Sequence, residues 1–96
     1  MRPSEALAKH RDEARSIVGS YKVAYPRIFG STARGEDTDE SDLDIIVRRD
    51  GELSYYDLFR LEDELAALLG VRVDLRTEGE FSSRIFDRIK RDFVDL

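Results

Sequence analysis

The residues of this chain best suited to chemistry are three aspartates on apolar runs. Asp42-Leu43-Asp44 opens the segment Asp42–Arg48, and Asp74 lies within the segment Val71–Arg76. Side chains alternate faces along a strand, so Asp42 and Asp44 point one way while Leu43, Ile45 and Val47 point the other. In the second segment Val71, Val73 and Leu75 share one face, and Arg72, Asp74 and Arg76 share the opposite one. Were the two strands neighbours, at about 4.8 Å, the three carboxylates would converge on one spot. Like charges that close repel one another. A divalent cation removes the conflict, and hard oxygen ligands suit Mg²⁺ or Mn²⁺, which keep waters and bind substrate phosphates as well. By itself an Asp-x-Asp pair is a weak signal and reads first as a solvated strand face.

Upstream, Gly30-Ser31 follows the apolar residues Ile28-Phe29. Glycine lets the backbone approach an anion closely, and exposed N–H groups at such a turn cradle phosphate. The Ser31 hydroxyl adds a donor and Arg34 a charge. A phosphate cradle beside a divalent-metal carboxylate cluster is the anatomy of a nucleotide-phosphate transfer site.

Composition narrows the chemistry further. Ninety-six residues suffice for one domain, and the whole of 1–96 reads as a single unit. Without cysteine there is no disulfide, thiolate metal site or thiol nucleophile. The single histidine, His10, excludes a multi-histidine zinc cage. A net charge of −5 gives no general pull toward nucleic acid or anionic lipid, so neither is an expected partner. No apolar run approaches the roughly 18 residues of a membrane span. MRPSEALAKH lacks the apolar core of a signal peptide, which makes a cytoplasmic location the expectation.

The elements that must position these groups follow from caps and periodicity. Pro3 and a Ser4 cap predict a helix to about Val18, with Leu7, Ala14, Ile17 and Val18 on one side and Gly19 at its end. Val23–Phe29 reads as a strand that Pro26 confines to an edge or a bulge. One helical turn from Gly30 to Arg34 precedes an acidic loop, Glu36–Ser41. Ser54 and Asp57 form a capping box for a helix carrying Leu58, Leu61, Leu65, Leu68 and Leu69 up to Gly70. Phe81, Ile85, Ile89 and Phe93 space a last helix from about Phe81 to Asp92. The order predicts an α/β fold, a small mixed sheet of about three strands with helices packed on it.

Gly30-Ser31, ten intervening residues, Asp42-Leu43-Asp44 and a later strand Asp74 together read GSx₁₀DxD…D. This pattern resembles the signature of the DNA polymerase β-like nucleotidyltransferase superfamily. The string GSTARGEDTDESDLDIIV is similar to its shortest members, the minimal nucleotidyltransferases (MNT). The resemblance implies that Gly30 and Ser31 hold a nucleoside triphosphate and that Asp42 and Asp44 ligate divalent metals. It implies that Asp74 helps bind the catalytic metal and activates the attacking hydroxyl. Where many minimal members carry a basic residue after Gly-Ser this chain has Thr32, and Arg34 is available to compensate.

Minimal members are typically found with a small helical HEPN-domain protein, as antitoxin and toxin. The resemblance therefore implies AMP transfer from ATP, with Mg²⁺ or Mn²⁺, to a tyrosine of a HEPN toxin. A domain that neutralises its partner by contact alone is one alternative. A catalytic subunit of a two-subunit antibiotic nucleotidyltransferase is another.

Other residues read more plainly. His10 is a boundary or surface histidine, and Glu36, Asp37, Asp39 and Glu40 belong to a solvated loop without EF-hand spacing. Of Tyr55 and Tyr56, one packs and the other faces solvent. Phe81, Ile85, Phe86, Ile89 and Phe93 are apolar on more than one side of a short helix, so any surplus left exposed marks a partner surface. Arg84, Arg88 and Arg91 give that helix a basic rim suited to an RNA-bearing or acidic partner, for which a solvated face is the default reading.

Overall fold

The computed structural model describes residues 1–96. Helix α1 (Pro3–Gly19) leads into β1 (Val23–Phe29) and the single-turn α2 (Gly30–Ala33). Strand β2 (Leu43–Arg49), α3 (Tyr55–Leu69) and β3 (Val73–Thr77) follow. The C-terminal segment holds a 3-10 turn (Glu78–Glu80), α4 (Ser83–Ile89), a second 3-10 turn (Lys90–Asp92) and β4 (Val94–Asp95).

The strands lie in the order β3-β2-β1-β4, with β2 and β3 parallel and the other pairs antiparallel. The fold is the expected mixed α/β sheet with helices, but it has four strands rather than three. Strand β4 is two residues long, too short to carry a period of its own. The expected helix from Phe81 to Asp92 is likewise divided, because the chain tightens to 3-10 geometry after Ile89.

Alternation sorts the two faces of the sheet. Leu43, Ile45 and Val47 of β2 and Leu75 of β3 meet Leu7, Ala14 and Val18 of α1 and Leu58, Leu61, Leu65 and Leu69 of α3. Leu61 and Leu65 are completely buried, and truncating such a leucine to alanine costs about 2–5 kcal/mol. The opposite face carries the aspartates and is not bare. Phe29, paired with Asp44, meets Phe81 and Phe93 edge-on with centroids 6.2 Å away in both cases, and Phe86 lies 5.6 Å from Phe93. The C-terminal segment therefore packs on the charged face, while α1 and α3 cover the apolar one.

Local signals act largely as expected. The Ser54 hydroxyl accepts from the Asp57 N–H at 3.1 Å and the Asp57 carboxylate accepts from the Ser54 N–H at 3.1 Å, while Gly70 ends α3 at φ +68°. Pro26 stands in a bulge between Ala24 and Arg27 inside β1, which is flanked by β2 and β4. The start of α1 differs from expectation. Arg2 is its N-cap residue, and Ser4, inside the helix, donates its backbone N–H to the buried carboxylate of Asp37 at 2.8 Å. Asp37 thus leaves the acidic loop to satisfy a helix N-terminus, where both the free N–H groups and the dipole favour an anion. Burial opposes its ionisation, yet the Ser4 hydrogen bond holds its carboxyl below the usual carboxylate range.

Candidate active site

The parallel register of β2 and β3 places Asp44 directly opposite Asp74, on the same face. Asp42 stands one residue before β2 begins, where the Leu43 N–H donates to the Arg72 carbonyl at 2.8 Å. Strand pairing thus brings the three sequence-selected aspartates to one end of the sheet. Two of them have a cation. Arg72 Nε lies 2.9 Å from Asp42, and Arg76 donates to both oxygens of Asp74 at 2.8 and 3.4 Å.

Asp44 forms no ion pair. Burial and the neighbouring charges of Asp74 and Asp42 push its carboxyl up to about 6, against smaller opposing effects of Arg76 and Arg34. No three His, Cys, Asp or Glu side chains are drawn together as a closed metal cluster. The donors are nonetheless of the right kind: three hard carboxylates, one of them carrying a charge the protein does not neutralise.

Gly30, the first residue after β1, stands beside this group. Its φ of +72° lies in the region that glycine alone enters freely, and a Cβ there would stand 2.3 Å from Asp44 Oδ2. The turn of α2 follows at once, so its first backbone N–H groups, with Ser31 among them, open next to the Asp44 carboxylate. Arg34, the C-cap of α2, donates to Glu36 at 2.7 Å and to Asp92 at 3.0 Å. The exposed carboxylate of Glu36 and the half-buried one of Asp92 hold the guanidinium in place beside the turn. Thr32 Oγ1 is buried without a hydrogen-bond partner.

Asp42 and Arg34 are exposed, while Gly30, Ser31, Asp44 and Asp74 are half-buried. The clefts of the molecule are elsewhere, and none is lined by Gly30, Ser31, Arg34 or the three aspartates.

Sequence reasoning placed Arg72 and Arg76 on the face of Asp74 but gave them no part; their alternation with the aspartate was the signal. The link from Asp92 to Arg34 crosses 58 residues and left no local trace. Of the other residues weighed, His10 pairs with Glu13 at 3.1 Å on the surface. Tyr55 and Tyr56 are both exposed, 70% and 69%, where one was expected to pack. The face of α3 that meets the core is already filled by its leucines.

A trio of strand carboxylates thus stands beside a Gly-Ser turn, on a β2-β3 parallel pair. The nucleotidyltransferase-domain family model matches residues 7–96, and the chain belongs to that family of enzymes. It is 43% identical over 91 residues to MJ0128 of Methanocaldococcus jannaschii, a protein described as a protein adenylyltransferase, across 94% of this chain and 90% of the relative. It is 36% identical over 88 residues to the protein adenylyltransferase MntA of Thermococcus cleftensis, across 92% of this chain and 86% of the relative.

Among solved structures, a minimal nucleotidyltransferase superposes with a TM-score of 0.87 at 34% identity, covering 97% of this chain and 95% of that one. The fold is also that of a chain from the complex of tri-AMPylated Shewanella oneidensis HEPN toxin with MNT antitoxin. There the TM-score is 0.62 at 20% identity, over 90% of this chain and 70% of that one.

Proposed function

We propose that this chain transfers AMP from ATP to a tyrosine hydroxyl of a HEPN-domain toxin and so acts as its antitoxin. The observation that carries the reading is the register of Asp44 on Asp74 with Gly30 packed against Asp44. It puts a phosphate-binding turn and a set of hard anionic donors side by side. The adenylyltransferase relatives and the HEPN-bound fold neighbour supply the donor and the acceptor class.

In this reading the N–H groups of the α2 turn, the Ser31 hydroxyl and Arg34 hold the triphosphate. Gly30, having no Cβ, lets that turn lie directly against Asp44. Asp42, Asp44 and Asp74 would hold Mg²⁺ or Mn²⁺, which when bound lowers the pKa of the acceptor hydroxyl and neutralises charge on the leaving group. The acceptor oxygen attacks the α-phosphorus, the bond from the α-phosphorus to the bridging oxygen breaks, and pyrophosphate leaves. Asp74 orients the hydroxyl and takes its proton, a role within reach of an ordinary carboxylate once the acceptor is acidified.

That no cleft is lined by the carboxylates supports a protein side chain as acceptor. A small acceptor is normally enclosed by a cleft, whereas a protein brings its own wall.

The test is to co-purify the chain with its HEPN partner, add ATP and Mg²⁺, and record the intact mass of both chains. An AMP-sized increment on the partner, absent with Asp42→Asn/Asp44→Asn, is expected. A stable complex with no adduct under either condition would sink the catalytic reading.

A further inference from the structure

We propose that Arg84, Arg88 and Arg91 form the docking surface for an acidic patch on the acceptor protein, a step that rests on the protein-acceptor reading above. Of the thirteen arginines in the chain, ten have a partner: a carboxylate, a backbone carbonyl or an aromatic ring. The three that have none are these. They stand at i, i+4 and i+7 along α4 and the turn after it, the spacing of one helix side, and all three are exposed.

The acids of the same segment are already engaged. Asp87 lies 3.1 Å from Lys90, and Asp92 lies 3.0 Å from Arg34. A row of three uncompensated cations on a chain of net charge −5 is a local reversal of sign. Such a reversal steers a partner of the opposite sign into register.

Two features favour a protein surface over a nucleic acid. Ile85, 49% exposed, follows Arg84 on the same helix, and an exposed apolar residue on a helix that carries free arginines has the composition of a protein interface. The remaining charge of the chain is acidic and would repel a phosphate backbone.

The location also suits an acceptor. Phe93 packs on Phe29, the residue before Gly30, and Asp92 grips Arg34. The basic row therefore rides on a segment fastened to the nucleotide turn, on the same side of the sheet as the aspartates.

The test uses the full chain carrying Arg84→Glu, Arg88→Glu and Arg91→Glu, with Arg84→Lys, Arg88→Lys and Arg91→Lys as the charge-preserving control. Association with the HEPN partner is measured from 0.05 to 0.5 M NaCl, alongside steady-state AMP transfer and ATP affinity. We expect the reversed variant to raise KM for the partner about tenfold or more and to flatten the salt dependence. kcat, ATP affinity and Tm should stay at wild-type values, and the lysine variant should keep most of the affinity. Wild-type association by the reversed variant at every salt concentration overturns the proposal. So does an RNA oligomer that binds the wild type at 0.15 M salt and is lost by the reversed variant. If the wild-type pair associates but no AMP is transferred, the functional reading fails while the association data still decide the docking surface.

Discussion

Gly30 and Asp44 are packed so closely that no methyl group fits between them. A Cβ on Gly30 would lie 2.3 Å from Asp44 Oδ2 and 3.2 Å from its Cγ, and the Gly30 φ is +72°. Gly30 directly follows β1, whose last residue, Phe29, pairs with Asp44 on the adjacent antiparallel strand β2. One contact therefore ties the Gly30-Ser31 turn to the Asp44 carboxylate, and it exists only because residue 30 lacks a side chain.

Replacing that glycine tests the contact from both sides. Gly30→Ala imposes a strained backbone and pushes the Asp44 carboxylate away from Asp74. A loss of about 1–2 kcal/mol in stability is expected. AMP transfer should fall far more, about 100-fold, because a displacement near 1 Å at a reacting centre costs that much. Thermal unfolding and single-turnover transfer on the same preparation separate the two effects. An alanine variant with wild-type transfer would remove Gly30 from the site.

Asp44 makes its own pH signature. Its carboxyl is raised from 3.8 unfolded to about 6 folded, by burial first and then by Asp74 and Asp42. Between pH 4 and 6 the native state binds more protons than the unfolded state, so this group removes stability as pH rises through that window. Asp44→Asn mimics the protonated form. Its Tm should exceed that of the wild type at pH 7.5 by a few degrees, for about 1–2 kcal/mol after allowing for partial exposure, and the two should meet near pH 4. Because other carboxylates titrate in the same range, the difference between the two proteins is the quantity to plot. A gap that does not change with pH would show that Asp44 is not repelled by its neighbours.

The site was more legible than its surroundings, and the reason is local. Asp42, Asp44 and Asp74 sit at period 2 on strongly apolar strands, so alternation alone put them on one face. The register that sets Asp44 on Asp74 then needed only the two strands to be neighbours. Ser54 with Asp57 and the leucines of α3 were equally plain, since capping and helical periodicity act within a few residues. What stayed hidden depends on distance in the chain. Asp37 reaches Ser4 across 33 residues and Asp92 reaches Arg34 across 58, and neither loop composition nor helix periodicity encodes such partners. The C-terminal segment followed the same rule: its phenylalanines were visible as apolar, but not the face they would cover.

Asp42 and Asp74 differ from Asp44 in already having cations, so their removal separates function from stability. Both ion pairs are partly exposed, and exposed pairs contribute little. Asp42→Asn and Asp74→Asn should each unfold within a few degrees of the wild type yet lose AMP transfer by about 1,000-fold or more, since each removes a hard donor. Mg²⁺ titration of Tm adds a second readout, in which the wild type gains stability with metal and Asp74→Asn gains less. Full transfer by either variant would take that aspartate out of the site.

A buried pair behind the site should behave in the opposite manner. The Arg27 side chain is 7% exposed and ion-pairs with Glu78, whose other neighbour is Arg48 at 3.3 Å. The Arg27 guanidinium also lies 4.9 Å from the Phe93 ring, beneath the C-terminal segment. Burial of Glu78 works against its ionisation, but Arg27 and then Arg48 outweigh it and hold the carboxyl below its ordinary 4.5. The sign for stability is therefore the reverse of that for Asp44: the contribution is present above about pH 4.5 and is lost as pH falls through the folded value. Glu78→Gln leaves the Arg27 charge buried without an anion, which should cost about 2–4 kcal/mol at pH 7 and much less in acid. Transfer measured well below the variant's Tm should persist, because Glu78 touches neither the aspartates nor the Gly30 turn. If Glu78→Gln unfolds like the wild type at pH 7, the pair contributes nothing. Phe93 and the segment around it must then be held on the sheet by the aromatic contacts with Phe29 and Phe86, the pairing of β4 with β1 and the Asp92–Arg34 pair.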